Sequence, residues 1–293
     1  MSVIQADQTC EQCHGTGVFL SNVKDHLRSR ICDCYRCEIC GNSGKIFHED
    51  DKGRSFMAEC ECQILRRRAH LLTESGLPGK YIRATLETYQ PMNNSQKVAL
   101  SRANDFLADF GKRRADFLGS LVFMGNPGTG KTHLCVGIVK HLVMKFGIPC
   151  KFVDFFQLLS DIRQGYSEEK AEKTILEPFI ESRVLVIDEL GKGKKGEWAL
   201  DMLDQLISGR YNAGNKVTLC TTNYKNALPK RKKTKTEGFV NTTDVEYLKS
   251  YEKETLSDVV GERIYSRLSE NSQFLELEGE DYRKIMKGRT SSR

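Results

Sequence analysis

The sequence predicts an α/β fold, a parallel sheet flanked by helices, preceded by a small tandem cysteine module. Three observations lead there. Four short β-type runs, Ser120–Met124, Cys150–Val153, Arg183–Ile187 and Val217–Thr221, alternate with amphipathic stretches of helix length. A glycine-rich loop ending in Lys-Thr, residues 125–132, joins the first run to a helical one. Eight of the eleven cysteines fall before Gln63, in pairs spaced for metal.

The length, 293 residues, is about twice the ~150 that serve as a prior for one domain. The pattern divides it into tandem four-cysteine modules over residues 1–64, a linker over 65–93, and a second domain over 94–293 with a polar insert at 225–258. Hydrophobic content of 39% with 29% charged excludes a wholly disordered or collagen-like chain. No apolar run approaches the ~18 residues that a bilayer span needs. Met1 to Gln8 lacks a basic segment leading into an apolar stretch, so no secretory signal is expected and the cytoplasm is the expected compartment. In a reducing compartment, closely spaced cysteines hold metal rather than disulfides. The net charge of +6 is a mild hint of an anionic partner. The basic runs Lys230–Lys235 and Arg66–Arg68 read either as solvated loops or as contacts to nucleic-acid phosphates.

The cysteines repeat. Cys10-x2-Cys13-His-Gly-Thr-Gly aligns with Cys37-x2-Cys40-Gly-Asn-Ser-Gly, and each is followed by Cys-x-Cys, at Cys32/Cys34 and Cys60/Cys62. Four thiolates so spaced close a tetrahedral Zn²⁺ site that contributes folding energy to a small zinc-ribbon-like module, so two Zn²⁺ ions are expected. Gly15, Gly17, Gly41 and Gly44 suit the reversals that demand positive φ. Which cysteines share an ion stays open, because Cys34 and Cys37 also form a Cys-x2-Cys pair. An iron-sulfur cluster on Cys34, Cys37 and Cys40, and haem attachment at Cys10-x2-Cys13-His14, are the competing chemistries. Charge over residues 1–70 balances at ten basic and ten acidic, which favours a protein partner over DNA for this region. Cys135, Cys150 and Cys220 stand alone in apolar stretches and read as core.

Ser75-Gly-Leu-Pro-Gly79 supplies turn chemistry in the linker, and Val98, Leu100, Ala103, Phe106, Leu107 and Phe110 follow helical spacing after it. The loop Gly125-Asn126-Pro127-Gly128-Thr129-Gly130-Lys131-Thr132, with His133, then matches G-x-x-x-x-G-K-[ST] between a strand and a helix. Its backbone N–H groups and the helix N-terminus cradle phosphates, Lys131 reaches the β- and γ-phosphates of a nucleoside triphosphate, and Thr132 ligates Mg²⁺. The buried run Val184–Ile187 delivers Asp188 to the Mg²⁺ shell and Glu189 as the base that polarises the attacking water. Asn223, ending the strand Thr218–Thr222, is positioned to sense the γ-phosphate.

GNPGTGKTH, VLVIDELG, TTNY and GERIYSRL followed by LELEGEDYRK, in that order, resemble the AAA+ P-loop NTPases that load bacterial replicative helicases, the DnaC/DnaI type, and their relative the IstB transposition helper. The resemblance runs from about Leu77 to Lys284. It implies an ATPase. It puts Arg267 at the arginine-finger position, acting on a neighbour's nucleotide, and Arg283 at the second sensor position; Arg263, one turn from Arg267, is a rival finger. Ten residues follow Arg283, too few for a C-terminal helical lid, in keeping with helicase loaders. The doubled cysteine module and the 225–258 insert depart from the pattern.

The resemblance implies an ATP-dependent loader of the replicative hexameric helicase onto single-stranded DNA in replication initiation. Its zinc modules would hold the helicase, its ATPase domains would self-associate through the ATP site, and Phe155, Phe156 and Arg163 are candidate DNA contacts. A transposition helper is the alternative within the class. A non-hydrolysing ATP- and zinc-binding module is the alternative outside it.

Overall fold

The computed structural model describes residues 4–112, 119–193, 196–226 and 254–284. The run Lys230–Lys235, and with it most of the 225–258 insert, lies outside the described residues. The chain separates into two compact units, Met1–Tyr89 with Val136–Phe152, and Gln90–Cys135 with Val153–Arg293.

In the first unit, strands β1 (Ile4–Gln5) and β4 (Arg36–Cys37) pair antiparallel, and two hairpins follow the two cysteine repeats. They are β2 (Val18–Val23) with β3 (His26–Ile31), and β5 (Lys45–Glu49) with β6 (Ser55–Glu59). The copies close alike: the Cys32 N–H donates to the Gly17 carbonyl at 2.9 Å and the Cys60 N–H to the Gly44 carbonyl at 2.9 Å. Helix α1 (Cys62–Glu74) begins within the second cysteine pair and lies on β3, where Leu27, Ala69 and Leu72 are buried. The Ser29 N–H donates to Thr73 Oγ1 at 2.8 Å, and the Ser29 hydroxyl donates to the Ala69 carbonyl. Residues 65–74 of the expected linker, 65–93, are therefore helical, and Arg66–Arg68 belong to α1 rather than to a loop. Arg66 donates to the Asn42 carbonyl and Arg67 pairs with Glu59, so neither stands as a free phosphate contact.

The second unit opens with helix α2 (Asn94–Lys112), whose Ala99, Ala103, Phe106, Leu107 and Phe110 are buried at helical spacing. Along the chain a five-stranded sheet is formed by β7 (Ser120–Gly125), β8 (Cys150–Asp154, of which Cys150–Phe152 count with the first unit), β9 (Val184–Asp188), β10 (Val217–Thr222) and β11 (Ser272–Leu277). Its order is β11-β7-β10-β9-β8, and the pairings among β7, β9, β10 and β11 are parallel. Every residue of β7, β9 and β10 is buried, which is why these strands read as unbroken apolar runs. Helices α3 (Lys131–His141), α4 (Phe155–Ser167), α5 (Glu172–Glu181), α6 (Glu197–Asn212), α7 (Leu256–Val260) and α8 (Glu262–Asn271) complete the fold. Val122, Leu158, Ile162, Leu185, Ile187, Leu203, Leu206, Cys220 and Leu268 form the core with Phe155, so Phe155 is no DNA contact. Phe156 is half exposed, and Arg163 stacks over Trp198 at 4.5 Å. Cys135, Cys150 and Cys220 are buried thiols, as their apolar neighbours implied.

Candidate functional site

The phosphate loop spans the end of β7 and the start of α3. Gly128 has φ +79, and a Cβ there would meet Asp281 Oδ1 at 2.0 Å, so the position admits glycine alone. Its carbonyl accepts the Tyr282 N–H at 3.1 Å, fastening the loop to the segment after β11. Lys131, 7% exposed, sends its ammonium to the carbonyls of Gly125 and Asn126 at 2.7 and 2.8 Å and to Asn223 Oδ1 at 2.9 Å. Burial pushes its pKa down to about 8, against the raising influence of Asp188 and Glu189, and the nearby Arg283 charge lowers it further. Phosphate oxygens would take the place of these three acceptors.

Asp188 lies at the C-terminal end of β9 and is 8% exposed. Its Oδ1 accepts from Thr132 Oγ1 at 2.8 Å and from Thr221 Oγ1 at 2.5 Å. Burial raises its pKa, and the two hydroxyls oppose the rise. Thr132 and Asp188 thus already touch, offering a hydroxyl and a carboxylate oxygen to one cation. Glu189 follows in left-handed backbone, φ +56, with its N–H donating to Thr221 Oγ1 at 3.0 Å and its carboxylate paired with Lys192. Thr221 opens the TTNY motif, but nothing in the sequence assigns it a role of its own; in the structure its hydroxyl joins both acidic positions.

The fold therefore brings Lys131, Thr132, Asp188, Glu189 and Asn223 together. Arg283 forms a bidentate pair with Asp281, at 2.8 and 2.7 Å, and stays 69% exposed. Arg267 is held within its own chain: it pairs with Asp204 of α6 at 2.7 Å, bonds Ser208, and is 22% exposed. Arg263 meets the same Asp204 at 3.4 Å and is 71% exposed.

The first unit carries two cysteine clusters, Cys10/Cys13/Cys32/Cys34 and Cys37/Cys40/Cys60/Cys62, each with its sulfurs within 4.8 Å of one another. The grouping follows the repeat, so Cys34 and Cys37 belong to different clusters. Contacts of 3.8 Å (Cys10–Cys32), 3.4 Å (Cys13–Cys34), 3.6 Å (Cys37–Cys60) and 3.5 Å (Cys40–Cys62) are too long for disulfides. They match the ~3.8 Å edge of a tetrahedron with Zn–S bonds of about 2.3 Å. Backbone N–H groups of Cys13 and Gln12 draw the Cys10 thiol down to about 7. Burial works against Cys40, yet the Gly44 N–H and neighbouring thiols bring it down to about 6. The donor set and its geometry fit Zn²⁺.

The family model described as IstB-like ATP binding protein matches residues 60–227, more than half of the chain. The crystal structure of the DnaC helicase loader superposes with a TM-score of 0.52 at 30% identity, over 68% of this chain and 99% of that one. The replicative helicase loader DnaC of Buchnera aphidicola subsp. Baizongia pistaciae is 23% identical over 278 residues, 91% of this chain and 99% of its own. The uncharacterized protein YqaM of Bacillus subtilis is 23% identical over 164 residues, and the chain spans about half (51%) of its length. Among the described residues no helix is long and apolar enough to cross a membrane.

Proposed function

The chain belongs to the family of IstB-like ATP binding proteins, and on that premise we propose that it is an ATP-dependent loader of a hexameric replicative helicase onto single-stranded DNA. One observation carries the reading: a buried Lys131–Asn223 contact stands beside a Thr132–Asp188–Thr221 chain, in a fold shared with the crystallised chain of the DnaC helicase loader over nearly all of its length.

ATP phosphates would sit against the N–H groups of residues 125–132 and the N-terminus of α3. Lys131 would leave the loop carbonyls for the phosphates while Asn223 keeps contact with the γ-phosphate. Thr132 and Asp188 would hold Mg²⁺, which supplies neutralisation of the phosphate charge. Glu189, once its carboxylate leaves Lys192, accepts the proton of the attacking water. A guanidinium from a neighbouring subunit completes the site. Arg267 occupies the finger position by resemblance, but its pairing with Asp204 makes the exposed Arg263 the freer candidate. Arg283 serves the nucleotide from within the same subunit. The two cysteine clusters would each hold a structural Zn²⁺, and their unit would grip the helicase. The self-associated ATPase units would present single-stranded DNA to it.

Purified protein is expected to hydrolyse ATP weakly alone and faster with single-stranded DNA. Glu189→Gln should keep ATP binding and abolish turnover. Size-exclusion chromatography with the host helicase, with and without ATP, tests the partner. A complex supports loading; complex formation with a transposase instead would move the protein to target selection in transposition.

A further inference from the structure

The second hairpin exposes what the first one covers. In β5–β6, Phe47 faces Met57 across the strands, and they are 78% and 53% exposed. On the opposite face His48 stacks on Phe56 at 5.5 Å, with Phe56 also half exposed. Exposed apolar side chains this large, gathered on one short hairpin, mark an interaction surface.

The internal repeat tells what kind of body belongs there. Gly17 and Cys32 of the first copy correspond to Gly44 and Cys60 of the second, which puts Phe47 at the position of Leu20 and Met57 at that of Ser29. In the first copy this face lies under a helix: Ser29 bonds Ala69 and Thr73 of α1, with Leu72 buried beside them. Ala69, Leu72 and Thr73 are spaced i, i+3, i+4, one stripe of a helix. The equivalent face of the second copy has no such cover among the described residues.

We infer that the Phe47/Met57 face of the second cysteine module is the docking surface for an amphipathic α-helix of a partner protein, which on the loader reading proposed above belongs to the replicative helicase. Charge complementarity narrows the partner further. Lys45 and Glu49 share the face with Phe47 and bracket it, about 13 Å apart at ~3.3 Å per residue. Glu59 and Asp50 are already paired, with Arg67 and Arg54. The face thus offers one cation and one anion around an apolar centre. That suits a helix carrying an acidic and a basic residue about seven positions apart, two turns and ~10.5 Å along one face at ~1.5 Å rise per residue, at the two ends of its apolar stripe. It does not suit a polyanion such as DNA.

The test uses the full-length protein, loaded with zinc, and the host's hexameric helicase. Phe47→Asp and Met57→Asp change exposed side chains, so each variant should keep two zinc ions and its own ATP turnover. Helicase affinity, read by fluorescence anisotropy, should fall about thirtyfold or more for Phe47→Asp, the loss expected of a central anchor. Hydrogen exchange on the wild-type complex should protect residues 45–59 together with a helical segment of the helicase. Unchanged affinity in both variants overturns the inference and leaves the loader reading standing. Protection of an extended strand in the partner also overturns it, as does loss of a concentration-dependent self-association, which would assign the face to a second copy. Failure of the wild-type protein to bind the helicase overturns both.

Discussion

Thr221→Val removes a hydroxyl while keeping the side chain's shape, and it strikes the point where both acidic residues of the site are held. Thr221 Oγ1 donates to buried Asp188 at 2.5 Å and accepts the Glu189 N–H at 3.0 Å. A hydrogen bond to a charged group is worth about 1.5–3 kcal/mol, so a loss near ~2 kcal/mol in unfolding free energy is expected. Asp188 already has its pKa raised by burial, so the native state binds a proton where the unfolded state does not, and its contribution turns unfavourable as pH rises above the ordinary value of 3.8. Losing one of two opposing hydroxyls raises that pKa further. The penalty of the substitution should therefore be larger at pH 7 than at pH 4, where protonated Asp188 has less need of the donor. Urea denaturation at the two pH values measures this. In ATP turnover, the loss of a group that orients a metal-holding carboxylate costs about 10–100-fold, with a higher Mg²⁺ requirement, and Thr221→Ser should restore most of it. Equal destabilisation at both pH values with an unshifted Mg²⁺ dependence would refute the role given to Thr221.

Further outcomes follow from other residues. Because burial holds Lys131 at about 8, it is largely neutral above that pH, and phosphate binding should recharge it; calorimetry at pH 8.5 in buffers of different ionisation enthalpy should detect proton uptake on ATP binding. The same depression makes stability contributed through Lys131 rise with pH between about 8 and its ordinary 10.5, since the unfolded state holds more protons there. Metal analysis should find two zinc ions per chain, and Cys60→Ser should lower the count to one while the Cys10/Cys13/Cys32/Cys34 site stays filled. Arg210→Met, at a residue that is 3% exposed and whose guanidinium binds the carbonyls of Phe179, Ser182 and Val217, should cost about 3 kcal/mol or more in denaturant titrations, by leaving those acceptors unpaired.

Much of the ATP-site unit was legible because buried parallel strands are written as unbroken apolar runs: Val184–Ile187 announces both a strand and the acidic pair it delivers. Strand β11 escaped the periodicity because Ser272-Gln-Phe-Leu-Glu-Leu277 sits at the sheet edge, half exposed, and its charged and amide positions dilute the pattern. The cysteine spacing pointed to two clusters, but membership of Cys34 and Cys37 needed the hairpins, which bring residues some twenty positions apart together. Arg267 shows the limit most plainly. Its motif position is visible in the sequence, whereas its pairing with Asp204 depends on how α8 lies on α6. Thr221 stands in the TTNY motif, but its role shows only when its hydroxyl is seen between Asp188 and the Glu189 N–H.

Loading itself is the most direct measurement. Helicase, this protein and closed circular single-stranded DNA are mixed with ATP or without nucleotide, and helicase retained on the circle is quantified after gel filtration. The account predicts retention with ATP and wild-type protein, and none with Lys131→Ala or without nucleotide. Equal retention in all of these conditions, or none in any, would contradict it.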